Sequence, residues 1–269
     1  MARKYVPITD FFSLESSFAT EFRRLLHNIL DKDRKTELKT VLVTSSTLSE
    51  GKSTTCALLA ITAAKNGTKT LLMDCDLRRP AVHKLFQLER DRGTSEVLAE
   101  GLGIKNVIKR SGLDKLDVIT AGRVFAHPAE VFDSPTIGRV LEEVKFYYDL
   151  ILIDSPPIIP VSDPMLLAQE VDGVVLVVKA GETQREVVAR SVEIINSSQT
   201  KLLGVILNNV GNTLPFYYND HYYGYRYEQK APNGRKGSSA KSNSTKRPPE
   251  RSKPESTEPD ASLKGKIPN

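Results

Sequence analysis

Tryptophan is absent from the 269 residues, cysteine occurs twice and histidine four times. Cys56 and Cys75 lie in no C-x-x-C pair, so neither a disulfide framework nor a zinc site is indicated. The histidines show no ligand spacing. Long hydrophobic runs are missing as well: stretches such as Val174 to Val178 are strand-sized and far too short to cross a bilayer. The opening M-A-R-K-Y-V-P-I-T-D has no apolar core of the kind a signal peptide needs. These absences together point to a reducing cytoplasm. A basic folded surface is lacking too. The net charge of +5 divides into +6 for residues 230–269, with ten Lys/Arg against four Asp/Glu, and −1 for residues 1–229. The near-neutral body argues against a nucleic-acid groove, and no nucleic-acid partner is expected.

What the chain does have is alternation. Near-continuous apolar runs at 40–44, 69–74, 116–120, 149–154, 173–179 and 203–208 read as strands buried on both faces. Helical patterns lie near 53–66, 80–87, 94–100, 128–148, 163–170 and 183–198. Repeated βα units predict a three-layer α/β/α fold with a mostly parallel central sheet, whose ligands bind at the carboxyl ends of the strands. Residues 1–35 read as an N-terminal helical arm, with apolar positions at Leu14, Phe18, Phe22, Leu25, Leu26, Ile29 and Leu30. Residues 36–212 read as the nucleotide-binding domain and 213–229 as a tyrosine-rich cluster. The Ser-, Pro-, Lys- and Gly-rich residues 230–269 have almost nothing to bury and are expected to be a disordered tail.

The stretch Ser45 to Thr54, S-S-T-L-S-E-G-K-S-T, stands between an apolar β-branched run and a helical pattern. Strand, small-residue loop, Gly-Lys-Ser and helix make up the context of a phosphate-binding P-loop. Loop and helix-terminal N–H groups converge on phosphate, and a lysine adds a formal charge. Lys52 is expected along the β/γ-phosphates, and the Ser53 hydroxyl on Mg²⁺. The strict pattern asks for glycine where Ser46 stands, and a serine such as Ser49 is costly wherever the backbone needs positive φ. The alternative is a polar strand-to-helix turn capped by serine. Two more runs end in aspartate: L-L-M-D-C-D-L-R-R-P, with Asp74 and Asp76, and D-L-I-L-I-D-S-P-P, with Asp154. Carboxylates at strand ends beside a P-loop suit a nucleotide's Mg²⁺, although strands also end in Asp simply because it favours turns.

Taken with G-T-S-E-V-L-A-E-G at 93–101, I-T-A-G at 119–122, H-P-A-E at 127–130, V-S-D at 161–163, V-D-G-V-V-L-V-V-K at 171–179 and G-V-I-L-N at 204–208, these segments give residues 15–228 a resemblance to the bacterial tyrosine kinases of capsule and exopolysaccharide assembly, within the Min/Par-like P-loop ATPases. The resemblance implies an ATP- and Mg²⁺-dependent protein-tyrosine autokinase that regulates polysaccharide synthesis and export. By position, Ser49, Glu50, Gly51, Lys52, Ser53 and Thr54 line the nucleotide and Asn208 contacts the adenine. Ser53, Asp74 and Asp154 surround the metal. Lys52, Asp74 and Asp76 carry the catalysis, with Asp76 as the base for the attacking tyrosine. Tyr217, Tyr218, Tyr222, Tyr223, Tyr225 and Tyr227 are the implied phosphoacceptors, presented by self-association to a neighbouring subunit. The implied partner is a membrane-anchored polysaccharide co-polymerase, which recruits the cytoplasmic chain to the inner face of the membrane. Two alternatives remain: a Min/Par-type positioning ATPase, disfavoured because Thr44, Ser45 and Ser46 stand where a second lysine is expected, and a weakly catalytic scaffold of the same fold. The family's oligomerising helix carries E-x-x-R-x-x-R, whereas the positions aligned on Asn28 and Ile29 are Thr20, Arg23 and Leu26.

Overall fold

The computed structural model describes residues 7–11, 16–30, 38–123, 131–132 and 136–210. The tyrosine cluster, the basic tail and the 127–130 segment therefore lie outside the described residues.

The chain begins with α1 (Ile8–Phe11) and α2 (Ser17–Leu30), then runs β1 (Thr40–Ser45), α3 (Lys52–Lys65), β2 (Thr70–Asp74), α4 (Val82–Phe86) and α5 (Thr94–Glu100). After a short 3₁₀ turn come β3 (Lys109–Arg110), β4 (Leu116–Ile119), α6 (Thr136–Lys145), β5 (Leu150–Asp154), α7 (Asp163–Ala168), β6 (Gly173–Lys179), α8 (Arg185–Ser197) and β7 (Leu202–Asn208). The strands form one sheet in the order β3-β4-β2-β5-β1-β6-β7. Every pairing is parallel except that of β3 with β4. All six expected strands form. The two-residue antiparallel β3 was not foreseen, because Lys109 and Arg110 carry no apolar signal.

Side chains alternate across a strand, and the two hydrophobic clusters follow that alternation. Val41, Val43, Leu72, Leu150, Leu152, Val175 and Val177 face α2 and α3. Leu42, Leu71, Met73, Ile151, Ile153, Val174 and Leu176 face the layer that includes α6 and α7. β1, β2 and β5 are thus buried at every position because they have a helical layer on both sides. The last strand departs from that expectation. At the sheet edge, Val205 and Leu207 are 46% and 52% exposed. An apolar run predicts β structure, but not which strand lies outermost.

Helix α2 packs its apolar stripe, Ala19, Phe22, Leu26 and Ile29, against the α3 layer. Leu26, at the family's second arginine position, is core. Glu21 and Arg24 pair with each other at 2.8 Å, one turn apart on the helix. Among the described residues no helix is long and apolar enough to cross a membrane.

Candidate nucleotide site at the strand ends

Parallel pairing sets the site. Asp74 and Asp154 are register partners at the carboxyl ends of β2 and β5. Asp154 is also aligned with Val43 of β1, two residues before the strand runs into the loop. Hydrogen-bond register alone therefore brings the loop and both strand-end carboxylates to one rim.

The loop departs from the strict P-loop pattern without losing its form. Ser46, at the glycine position, is buried and is not among the positive-φ residues, so no glycine freedom is needed there. Ser49 does take φ 63°, a left-handed conformation costing an L residue about 1–2 kcal/mol. Gly51 takes φ 90°, and a Cβ there would lie 2.2 Å from the Asn208 amide nitrogen. Glycine at 51 is therefore favoured by conformation, and any Cβ there would also have to displace the Asn208 side-chain amide.

The Lys52 ammonium donates to Asp76 Oδ2 at 2.7 Å and to Ser53 Oγ at 3.0 Å. It reaches Asp154 Oδ1 at 3.4 Å. Burial pulls the lysine's pKa down, but the Asp154 and Asp76 charges outweigh it, and the net shift is upward. Burial pushes the Asp154 carboxyl up to about 6, opposed by the Lys52 charge and the Ser53 hydroxyl. Its Oδ2 is buried with no hydrogen-bond partner among the described residues. Asp74 is also pushed upward, by burial and then by Asp154.

The three aspartates are not equivalent. Asp74 Oδ1 accepts the Asp76 backbone N–H at 3.1 Å, and its Oδ2 accepts that of Val82 at 3.2 Å. Both of its oxygens therefore already shape the 74–82 segment. Asp76 Oδ1 accepts the Arg79 N–H, leaving Oδ2 to Lys52. Only Asp154 presents an orphaned buried oxygen. Among the described residues no group of three or more His, Cys, Asp or Glu side chains forms a metal cage. One carboxylate and a serine hydroxyl instead suit Mg²⁺, which usually completes its shell with phosphate oxygens and water. The residues present thus fit the ion the P-loop implies.

Next to Asp76 lies a cleft of about 190 Å³ lined by Leu48, Arg78, Arg79, Pro156, Pro157, Pro160 and Val161. Arg78 holds one wall, donating to both oxygens of buried Asp163 at 2.7 and 3.0 Å. Thr54 is exposed in the first turn of α3. Asn208 donates from its amide to the Glu50 carbonyl at 2.9 Å. Sequence reasoning missed Thr183, whose hydroxyl donates to Glu50 Oε1. No short motif marks it; only the pairing of β6 beside β1 brings its loop there. The structure gathers Glu50, Gly51, Lys52, Ser53, Asp74, Asp76, Asp154 and Asn208, while all six tyrosines lie outside the described residues.

A parallel sheet carrying Gly-Lys-Ser at the β1–α3 turn, with acidic strand ends beside it, defines a P-loop NTPase. A family model described as "ParA: NUBPL iron-transfer P-loop NTPase" matches residues 38–226. The archaeal septum site-determining protein MinD, in its complex with Mg-ADP from Pyrococcus horikoshii OT3, shares the fold at TM-score 0.57 and 21% identity, covering 65% of this chain and 71% of its own. The tyrosine-protein kinase YwqD of Bacillus subtilis (strain 168) is 36% identical over 83% of this chain and 92% of its own length. The putative tyrosine-protein kinase CapB of Staphylococcus aureus is 32% identical over 84% and 98%. The kinase domain of the Escherichia coli tyrosine kinase ETK superposes with TM-score 0.72 at 30% identity, covering 77% of this chain and 82% of that domain. Within the P-loop NTPases, the chain belongs to the bacterial tyrosine-protein kinases.

Proposed function

We propose that the chain is an ATP- and Mg²⁺-dependent protein-tyrosine autokinase that phosphorylates its own tyrosines between 217 and 227 and so regulates extracellular polysaccharide synthesis and export. The observation that carries this reading is the convergence of Lys52, Ser53, Asp76 and Asp154 on one rim, in a chain whose relatives are named tyrosine-protein kinases.

Phosphoryl transfer needs alignment and charge neutralisation more than covalent help from protein. Lys52 would lie along the β/γ-phosphates, with the loop and α3 N-terminal N–H groups around them. Ser53 and Asp154 would hold Mg²⁺, which neutralises phosphate charge. Asp74, engaged by two backbone N–H groups, would contribute chiefly by shaping the segment that carries Asp76. A tyrosine ring entering the cleft between Leu48 and Pro157 would bring its hydroxyl to Asp76. The new bond joins the phenolic oxygen to the γ-phosphorus as the β–γ anhydride breaks; the phenolic proton passes to Asp76 and ADP leaves. Asn208 would border the nucleotide through its contact with Glu50.

The tyrosine segment would reach the site of a neighbouring copy, and a membrane-anchored polysaccharide co-polymerase would supply the activating contact at the inner face of the membrane. The solved chimerical protein CapA2B2, 30% identical and with TM-score 0.71 over 74% of this chain and 88% of its own, supports the kinase fold on which this reading of the partner rests. Purified protein given ATP and Mg²⁺ should gain phosphotyrosine in 217–227, measured by mass spectrometry, with the partner segment added if required. Lys52→Met should abolish labelling; equal labelling in that variant would reject the site.

A further inference from the structure

The loop carries an acidic side chain, Glu50, directly before the glycine of Gly-Lys-Ser. A carboxylate there repels the ligand unless its charge is taken up by donors. Both of its oxygens are so occupied. Oε2 accepts the Thr47 backbone N–H at 2.7 Å, and Oε1 accepts the Thr183 hydroxyl. The same hydroxyl oxygen accepts the Lys179 backbone N–H at 3.1 Å, tying it to the end of β6. From the other side, the Asn208 side-chain amide donates to the Glu50 backbone carbonyl at 2.9 Å, and the Asn208 backbone carbonyl accepts the Ala180 N–H at 2.8 Å. Three strand ends, those of β1, β6 and β7, are thereby joined through one residue of the loop.

We propose that Glu50 and Thr183 form a latch that holds the phosphate loop in its binding shape, so that Thr183, outside every nucleotide motif in the chain, is a positioning residue for the nucleotide. The latch rests on the nucleotide-binding reading above. It supplies from outside the loop what glycines supply from within: Ser49 stays at φ 63° because its neighbour Glu50 is anchored on both faces. Removing the Thr183 hydroxyl leaves one carboxylate oxygen without its donor. That loosens the Thr47 end and restores negative charge where phosphates must sit. The loss falls on binding and not on the chemical step, because the hydrogen bonds of Glu50 and Thr183 go to Thr47, Lys179 and Asn208 and not to Lys52, Asp76 or Asp154.

The test uses the full chain with Thr183→Val, Thr183→Ser, Glu50→Gln and the Glu50→Gln/Thr183→Val pair. Calorimetric titration with Mg-ADP should show about tenfold weaker binding for Thr183→Val, restored by Thr183→Ser. Because Glu50→Gln keeps one acceptor oxygen but removes the charge, the double variant should be no worse than Thr183→Val alone. Hydrogen exchange on protein without nucleotide should show the Thr47 and Lys179 amides exchanging about tenfold faster in Thr183→Val. In turnover, KM for ATP should rise with kcat within about twofold. Wild-type affinity in Thr183→Val, or unchanged exchange at Thr47, would overturn the latch. If wild-type protein binds no Mg-ADP, the functional reading falls and the exchange comparison alone decides the latch. If Glu50→Gln fails to fold, the Thr183 pair of variants still decides it.

Discussion

Asp154 carries opposite demands in one side chain. Buried and only partly compensated by Lys52, it titrates near 6, against 3.8 for an ordinary aspartate. Between those values the native protein holds a proton that the unfolded chain has released. The stabilisation is therefore complete below about 3.8 and is lost as pH rises through 6. Asp154→Asn should accordingly raise the melting temperature at pH 7.5, with the gain shrinking as pH is lowered toward 4. Metal binding at the proposed site would run the other way, since the carboxylate must lose its proton first. In the proposed site, Mg-ADP affinity of the wild type should fall roughly tenfold per unit of pH below about 6, and Asp154→Asn, which has no carboxyl to titrate, should be weaker and should lose that fall. Titration calorimetry from pH 5 to 8 checks both. At Gly51 the prediction is steric: Gly51→Ala puts a Cβ against Asn208 at a left-handed position. Asn208→Ala should then relieve the collision but not the backbone strain, leaving Mg-ADP binding impaired in the double variant.

At the scale of elements, Arg78 and Asp163 join the segment after β2 to the start of α7. Their burial is unequal: the aspartate side chain is fully buried, while the arginine is 38% exposed. Losing the donor strands a buried carboxylate, whereas losing the charge on the acceptor strands only a solvated guanidinium. Arg78→Leu should therefore cost about 2 kcal/mol in urea unfolding, and Asp163→Asn less than about 1 kcal/mol. Much at this scale was legible in the residues themselves. The strands from β1 to β6 that are covered on both faces announce themselves as unbroken apolar runs, and the strand-end aspartates follow each run directly. Three things were not. The exposed face of β7 is invisible because Val205 and Leu207 look as apolar as Val175 and Val177. The antiparallel β3 is carried by two charged residues. Thr183 acquires its role only through the β1–β6 pairing, a contact between positions 133 residues apart. Local pattern reports what a segment will become, and tertiary pairing decides what it will touch.

Over the whole molecule, charge is divided unevenly along the sequence. Residues 1–229 carry −1 and residues 230–269 carry +6. Every described functional group belongs to the first part. A chain ending at residue 229 should keep the melting temperature, the Mg-ADP affinity and the tyrosine labelling of the full chain. What the tail can change is where the protein sits. Each Lys or Arg held near an anionic surface contributes up to about 1 kcal/mol, but prolines and four acidic residues interrupt its ten cations, and it has no apolar anchor. Phosphorylation acts against the same attraction, since each phosphotyrosine adds roughly −1.5 to −2 charges, and three would offset most or all of the tail's excess. Unphosphorylated full-length protein should therefore bind vesicles containing phosphatidylserine more tightly than the shortened chain at low salt. That difference should vanish at high salt and shrink once 217–227 is phosphorylated. Equal vesicle binding by the two chains at low salt would show instead that the tail is a solvated linker.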